Sequence, residues 1–290
     1  MRFRQRWVPA LALLALAPLP GHAAEGHGGS SINGSVTLLY NNNVTNAELN
    51  NDIDDDFSLE AEASYTYSTP ALTGHSFHWT VSALGSRFST YHDLDHAELK
   101  LEGAYDVQFT RGFSAPVYEF SASIKGIDSV SRIRDGWQAE LGAMATSQLT
   151  DRLTGRTGVR LTKREATEYD VFDLERWNVF FNTDWMKSEH SVFYGTYIFS
   201  KGDVVSTAVP TLKIIDAADA IEPDDAFGGV PANRFAYRLN ADVNILTLGY
   251  NHAVGPLSAI DLSVEGLFAN ADGGNEYQRT ITRLAYLRRF

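Results

Sequence analysis

Apolar and polar residues alternate with a period of two in segment after segment of this chain. From Phe57 to Tyr67 the odd positions are Phe57, Leu59, Ala61, Ala63, Tyr65 and Tyr67, and the even ones are Ser58, Glu60, Glu62, Ser64 and Thr66. Such a pattern is a β-strand with one oily and one polar face. It recurs and predicts strands near 32–40, 57–67, 77–86, 97–109, 117–126, 137–148, 153–163, 177–186, 191–200, 235–252, 258–269 and 277–290. Two of these read irregularly. The segment 191–200 is apolar on both faces, with Val192, Tyr194 and Ile198 on one and Phe193, Tyr197 and Phe199 on the other. In 235–252 the oily face runs Tyr237, Leu239, Ala241, Val243 and then shifts to Leu246, Leu248, Tyr250, which predicts a bulge near Ile245.

The connections carry a second pattern. Every other one is long (41–56, 87–96, 127–136, 164–176, 201–234, 270–276), and those between are shorter (68–76, 110–116, 149–152, 187–190, 253–257). Long loops on one side and short turns on the other, with about ten residues per strand, are the signature of an up-and-down transmembrane barrel; a Greek-key sandwich has no reason to alternate in this way. Charges on the oily face fall only near strand ends, at Arg87, Lys163 and Arg288. There a charged side chain facing lipid costs about 0–1 kcal/mol, against about 2–4 at the membrane centre. Tyr40, Tyr67, Trp79, Trp137, Trp177 and Trp185 also stand near strand ends, as interfacial aromatics do. The predicted fold is therefore an all-β, twelve-stranded antiparallel barrel.

The chain ends in "ITRLAYLRRF". This resembles the closing strand of bacterial outer-membrane β-barrels, which end on an aromatic residue, usually Phe. Phe290 matches, with Tyr286 and Leu284 on the same face, while Arg288 departs from the usual apolar residue. The resemblance implies recognition by the barrel-assembly machinery through Leu284, Tyr286 and Phe290, and residence among outer-membrane lipid and lipopolysaccharide.

The N-terminus agrees with that address. Arg2, Arg4 and Arg6 precede an apolar run from Val8 to Leu19, and small residues at Gly21 and Ala23 allow cleavage after Ala23 or Ala24. The expected organisation is a signal peptide over 1–23, a short linker over 24–31 and the barrel over 32–290. Loss of the three arginines takes the formal charge from −12 to −15. So acidic a chain is a poor nucleic-acid binder. Cysteine is absent, which excludes disulfides, thiolate metal sites and a cysteine nucleophile. No cofactor motif is present.

With the oily face toward lipid, the polar face lines a lumen. The expected lining is Glu60, Glu62, Glu98, Lys100, Glu102, Glu119, Lys125, Glu140, Arg156, Arg160, Arg238, Asp242, Asp261, Glu265, Arg279 and Arg283, with Asp106 and Asp184 adding acid. Twelve strands lie between the eight that side chains can fill and the sixteen that leave an open channel. A charged, hydrated lumen implies passive diffusion of small polar or cationic solutes. The loop 201–234 places Leu212, Ile215, Ala218 and Ile221 at helical spacing before Pro223. Folded inward onto Phe193, Tyr197 and Phe199, it would hold Asp216, Asp219 and Glu222 over the mouth, similar to the constricting loop of general porins; the alternative is an external cap. Two other functions remain open. Ser89, His92, Asp93, Asp95 and His96 form a cluster of base, acid and hydroxyl that could serve a rim enzyme, although barrel enzymes, by resemblance, draw such groups from different strands. A structural or assembly barrel would hold an envelope partner through its loops. The run "NNDIDDD" at 50–56 reads as a solvated external loop.

Overall fold

The computed structural model describes residues 28–70, 74–227 and 233–290. The expected leader, 1–23, and the first part of the linker lie outside the described residues. The strands are β1 (Gly29–Asn41), β2 (Asp56–Ser68), β3 (His75–Phe88), β4 (His96–Val107), β5 (Val117–Ser129), β6 (Gly136–Thr150), β7 (Leu153–Ala166), β8 (Leu174–Ser188), β9 (Ser191–Ala208), β10 (Ala220–Pro223), β11 (Phe235–Gly255), β12 (Ser258–Ala271) and β13 (Asn275–Arg289). Twelve of them pair antiparallel, each with its neighbour in sequence; β13 pairs with β1 and β9 with β11, so the sheet closes on itself. Closure removes the unpaired edges that an open sheet would expose to lipid. The short β10 sits outside this ring, paired only to the outer end of β11.

Every strand of the ring overlaps the segment that the alternation predicts, and all but β9 and the outer half of β11 keep the predicted parity. Leu38, Phe57, Leu59, Leu99, Leu101, Leu141, Leu161, Leu248 and Leu262 point outward and are exposed. Together they form the apolar band that meets lipid. Aromatic side chains bound this band. Tyr40 packs on Phe57 and Trp177 on Phe199 toward the long-loop side, while Tyr65 packs on Trp79 and Trp185 on Phe193 toward the short-turn side. Leu284, Tyr286 and Phe290 share the outward face of the last strand, and the Arg288 guanidinium lies over the Phe290 ring at 5.4 Å. An interfacial arginine is thus accommodated by snorkelling.

Three expectations need correction. No bulge interrupts β11 at Ile245: its register with β9 runs unbroken from Phe235 to His252. The parity never changes; the environment does. Leu246, Leu248 and Tyr250 face lipid, whereas Tyr237, Leu239, Ala241 and Val243 face inward and are buried. By the same parity Arg238 and Asp242 point outward, so neither lines the lumen. On β9 the inward face is Val192, Tyr194 and Ile198. Phe193, Tyr197 and Phe199 face lipid, so no loop folds onto them.

Above the membrane, β9 and β11 continue as a two-stranded ribbon that leaves the wall. β8 stops pairing with β9 at Gly202. Gly202 has φ +135°, and a Cβ there would lie 2.2 Å from the Glu175 carbonyl oxygen, so the bend needs glycine. Beyond it, the freed edge of β9 finds partners across the mouth. Thr207 donates its N–H to the Thr45 carbonyl at 2.8 Å, and the Val205 carbonyl accepts from the Asn46 side chain at 3.1 Å. Both partners belong to the connection after β1, four strands away round the ring.

Candidate functional site: a charged lumen under a latched cap

The ribbon closes the outer mouth through two apolar contacts. Its inner face (Val204, Tyr237, Leu239) joins Leu267 and Ala269 of β12, Tyr277 of β13 and Ile214 in one buried cluster. Its other face presents Ala236, which packs with Ile133, Val171 and Phe172 from the connections 130–135 and 167–173. Burying a Leu- or Tyr-sized side chain contributes about 1.5–3 kcal/mol, so the cap is held on both sides. The helical spacing around 212–221 yields only α1 (Leu212–Ala217), which Thr211 caps through its side chain. Ile214 is its buried anchor, and Lys213 bonds Glu48 at 2.8 Å. Asp216 and Asp219 are exposed and Glu222 lies on β10. Of the two readings of this loop, the structure has the external cap.

Polar contacts latch the cap to the loops around it. Asp224, 0% exposed, accepts from both Arg134 guanidinium nitrogens at 2.8 and 2.7 Å, from the Thr207 hydroxyl at 2.6 Å and from the Ala226 N–H at 3.1 Å. Burial alone would push this carboxyl up. The donors, Arg134 above all, outweigh it and hold the acid below the usual carboxylate range. The Arg134 guanidinium also lies 5.0 Å from the Phe172 ring centre and 5.7 Å from that of Phe227. A second latch joins Arg234 to Asp54. Burial and a hydrogen bond to Asp54 push the nearby Tyr91 hydroxyl up to about 12.

The acidic run before β2 is therefore structure rather than a solvated tract. Asp52 is buried, Asp54 is ion-paired, and Asp56 accepts from the Ser89 hydroxyl and from the N–H groups of Phe57, Thr90 and Tyr91. This also decides where the rim cluster's groups go. Ser89 bonds Asp56 and no histidine, Asp95 accepts the Phe88 N–H at 2.7 Å, and His96 contacts the Leu94 carbonyl at 3.0 Å. These polar groups shape two tight turns, and no nucleophile–base pair forms there.

Below the cap the expected lining faces inward, apart from Arg238 and Asp242, and much of it is paired. Lys125 bonds Glu98 at 2.9 Å, Arg283 bonds Glu265 at 3.0 Å, and Lys100 meets Glu102 and Arg156 meets Asp184. Asp261 accepts from the Tyr194 hydroxyl at 2.8 Å, and Asp106 from Ser76 at 3.0 Å beside His78. The walls do not fill the interior. A cavity of about 120 Å³ lies between Glu62, Glu98, Lys100, Lys125 and Glu140, and the Arg160 side chain stays 51% exposed. Two lumen residues escape the sequence reading, Arg164 and Arg176. Both continue the inward parity of their strands, one step beyond the predicted ends at 163 and 177.

No family model matches the chain, and no curated protein matches it by sequence. Solved structures do. An outer-membrane channel from Pseudomonas putida F1 superposes with a TM-score of 0.57 at 8% identity, over 94% of this chain and all of the other. The NanC porin gives 0.48 at 9% over 87% and 98%, and the outer-membrane channel DcaP of Acinetobacter baumannii 0.42 at 10% over 91% and 98%. At such identities the likeness is one of fold. The protein is a Gram-negative outer-membrane β-barrel, with its apolar band in the outer membrane. Channels and porins are among the barrels it is similar to.

Proposed function

We propose that the protein is an outer-membrane channel for small polar solutes, closed at its outer mouth in this conformation by the β9–β11 ribbon. One observation carries the reading: the barrel encloses charged side chains that remain wet, with Arg160 half exposed inside the wall. A barrel with a purely structural role would be expected to bury such groups in pairs or replace them with apolar ones, because an unpaired buried charge costs several kcal/mol. The periplasmic half is rich in carboxylates, at Glu102, Asp106, Glu119 and Asp261, and there the lumen favours cations. Opening would require only the ribbon to move. Its contacts across the mouth are side-chain and loop contacts, whereas the wall below Gly202 is held by continuous strand pairing.

The test is single-channel recording of the refolded barrel in a planar bilayer, with the intact chain beside one lacking residues 209–227. The intact chain is expected to be mostly silent with rare steps, and the deletion to show frequent discrete steps. If the deletion inserts and folds yet stays silent, the channel reading fails.

A further inference from the structure

We infer that the outer half of the lumen holds an oxyanion-binding site built on Arg176 and Arg279, for a small solute carrying a carboxylate or phosphate group. Five arginines approach the space under the cap: Arg160, Arg164 and Arg176 from β7 and β8, and Arg279 and Arg283 from β13. Glu265 and Glu140 lie within ion-pair distance of three of them, while Glu98 and Asp135 are within electrostatic range of Arg164 and Glu60 of Arg283. Glu265 takes Arg283 at 3.0 Å and Arg279 at 3.7 Å, Arg279 also donates to the Asn46 side-chain oxygen at 3.1 Å, and Glu140 lies 3.9 Å from Arg160 and accepts from Gln138. Arg164 spends one nitrogen on the Arg134 carbonyl. Among the described residues the Arg176 guanidinium has no hydrogen-bond or ion-pair partner, and it lies within electrostatic range of Arg160, Arg279 and Glu140. The Nε atoms of Arg164 and Arg279 are buried with no partner.

Such an arrangement is incomplete as it stands. Like charges gathered in a confined space repel, and a buried donor without an acceptor costs about 1–3 kcal/mol. Beside the cluster the wall is apolar and buried, made of Ala241, Val243, Leu267 and Tyr277. That apolar wall lowers the local dielectric and strengthens attraction to a counter-charge. Guanidinium forks match the planar oxygens of a carboxylate or phosphate and bind them with paired hydrogen bonds. A cation would find Glu140 and Glu265 already engaged by arginine. The lumen is thus graded, with carboxylates toward the periplasm and arginines under the cap. Anionic solutes, rather than the cationic ones suggested by counting carboxylates, would dwell beneath the cap.

The inference rests on the channel reading for its solute, but binding is measurable without conduction. The refolded full-length barrel in detergent would be titrated with inorganic phosphate, and separately with acetate, by calorimetry and by the shift in thermal unfolding. Phosphate or acetate is expected to bind and to raise the unfolding temperature. Arg176→Gln and Arg279→Gln should each weaken that affinity about ten- to hundredfold, the loss of one charge-assisted contact. Arg111→Gln, in an exposed periplasmic turn, should leave it unchanged. Arg176→Gln should also unfold no earlier than the parent without anion, since it breaks no pair; a large drop would mean that Arg176 is structural and would overturn the site. The absence of binding by both anions, or binding that survives both substitutions, would overturn it as well. Binding in a barrel that never conducts would leave the site standing and remove the channel. Conduction without binding would do the reverse.

Discussion

The two halves of β11 share one strand, one register and one parity, yet they bury opposite faces. In the membrane half Leu246 and Leu248 point outward into lipid, and Thr247 points inward to water. In the outer half Leu239 and Val243 point inward and are buried, while Asn240 and Asp242 point outward. Nothing in the backbone changes between them. What changes is which side is wet: lipid surrounds the lower half, whereas around the upper half the larger dry contact lies between the ribbon and the wall. An alternating strand reports that its two sides differ without reporting which one is dry.

The largest effect expected to separate the two halves comes from the latch. Asp224→Ala would leave Arg134 buried without its partner, a loss of about 3–5 kcal/mol confined to the cap. Channel opening should rise steeply and the segment around 209–227 should become cleavable by added protease, while heat-resistant folding of the barrel persists. Unchanged gating and unchanged cleavage would show that the latch does not hold the cap. Next comes a matched pair in β11. Leu239 is 1% exposed and Leu248 60%. Leu239→Ala should cost about 2–5 kcal/mol of cap stability, and Leu248→Ala about 0.5 or less, read as the protease concentration that opens the cap in each. Equal effects would erase the contrast.

Acid offers a smaller and reversible perturbation. The folded Asp224 carboxyl titrates below its ordinary value near 3.9, so its contribution is complete above that ordinary value and is lost as pH falls through the lower folded one. Cap opening should therefore be flat from pH 7 to about 5 and rise only in stronger acid, as recorded by conductance across that range. A rise near neutrality would point to another group. The smallest effect should come from the exposed ion pair of Lys201 and Asp242 on the outward face, 3.1 Å apart. Asp242→Ala should change stability by less than about 1 kcal/mol, and a larger loss would mean that this face of the ribbon is covered by something else.

Alternation, loop lengths and the terminal Phe290 together made the barrel and its strand count readable from the residues alone. A repeating period-two pattern is a local property, and lipid imposes it on every strand in the same way. The lumen was readable for the same reason, down to Glu98 with Lys125 and Glu265 with Arg283 as wall residues, although their partners were not. Arg164 and Arg176 lay within reach of the same parity and were lost to strand ends drawn one residue short.

The cap was out of reach of that logic. Asp224 meets Arg134 and Thr207, Asp54 meets Arg234, and Val205 meets Asn46 across spans of 17 to 180 residues. No periodicity relates positions so far apart. Gly202 looks like any glycine in a strand until its φ of +135° and the Glu175 carbonyl behind it reveal the bend. Local chemistry sets which faces of a strand are oily, because each residue meets its solvent alone. Where a ribbon bends, which loop it meets and which charges are left without partners depend on the closed ring, since only closure brings the ends of distant strands to a common mouth.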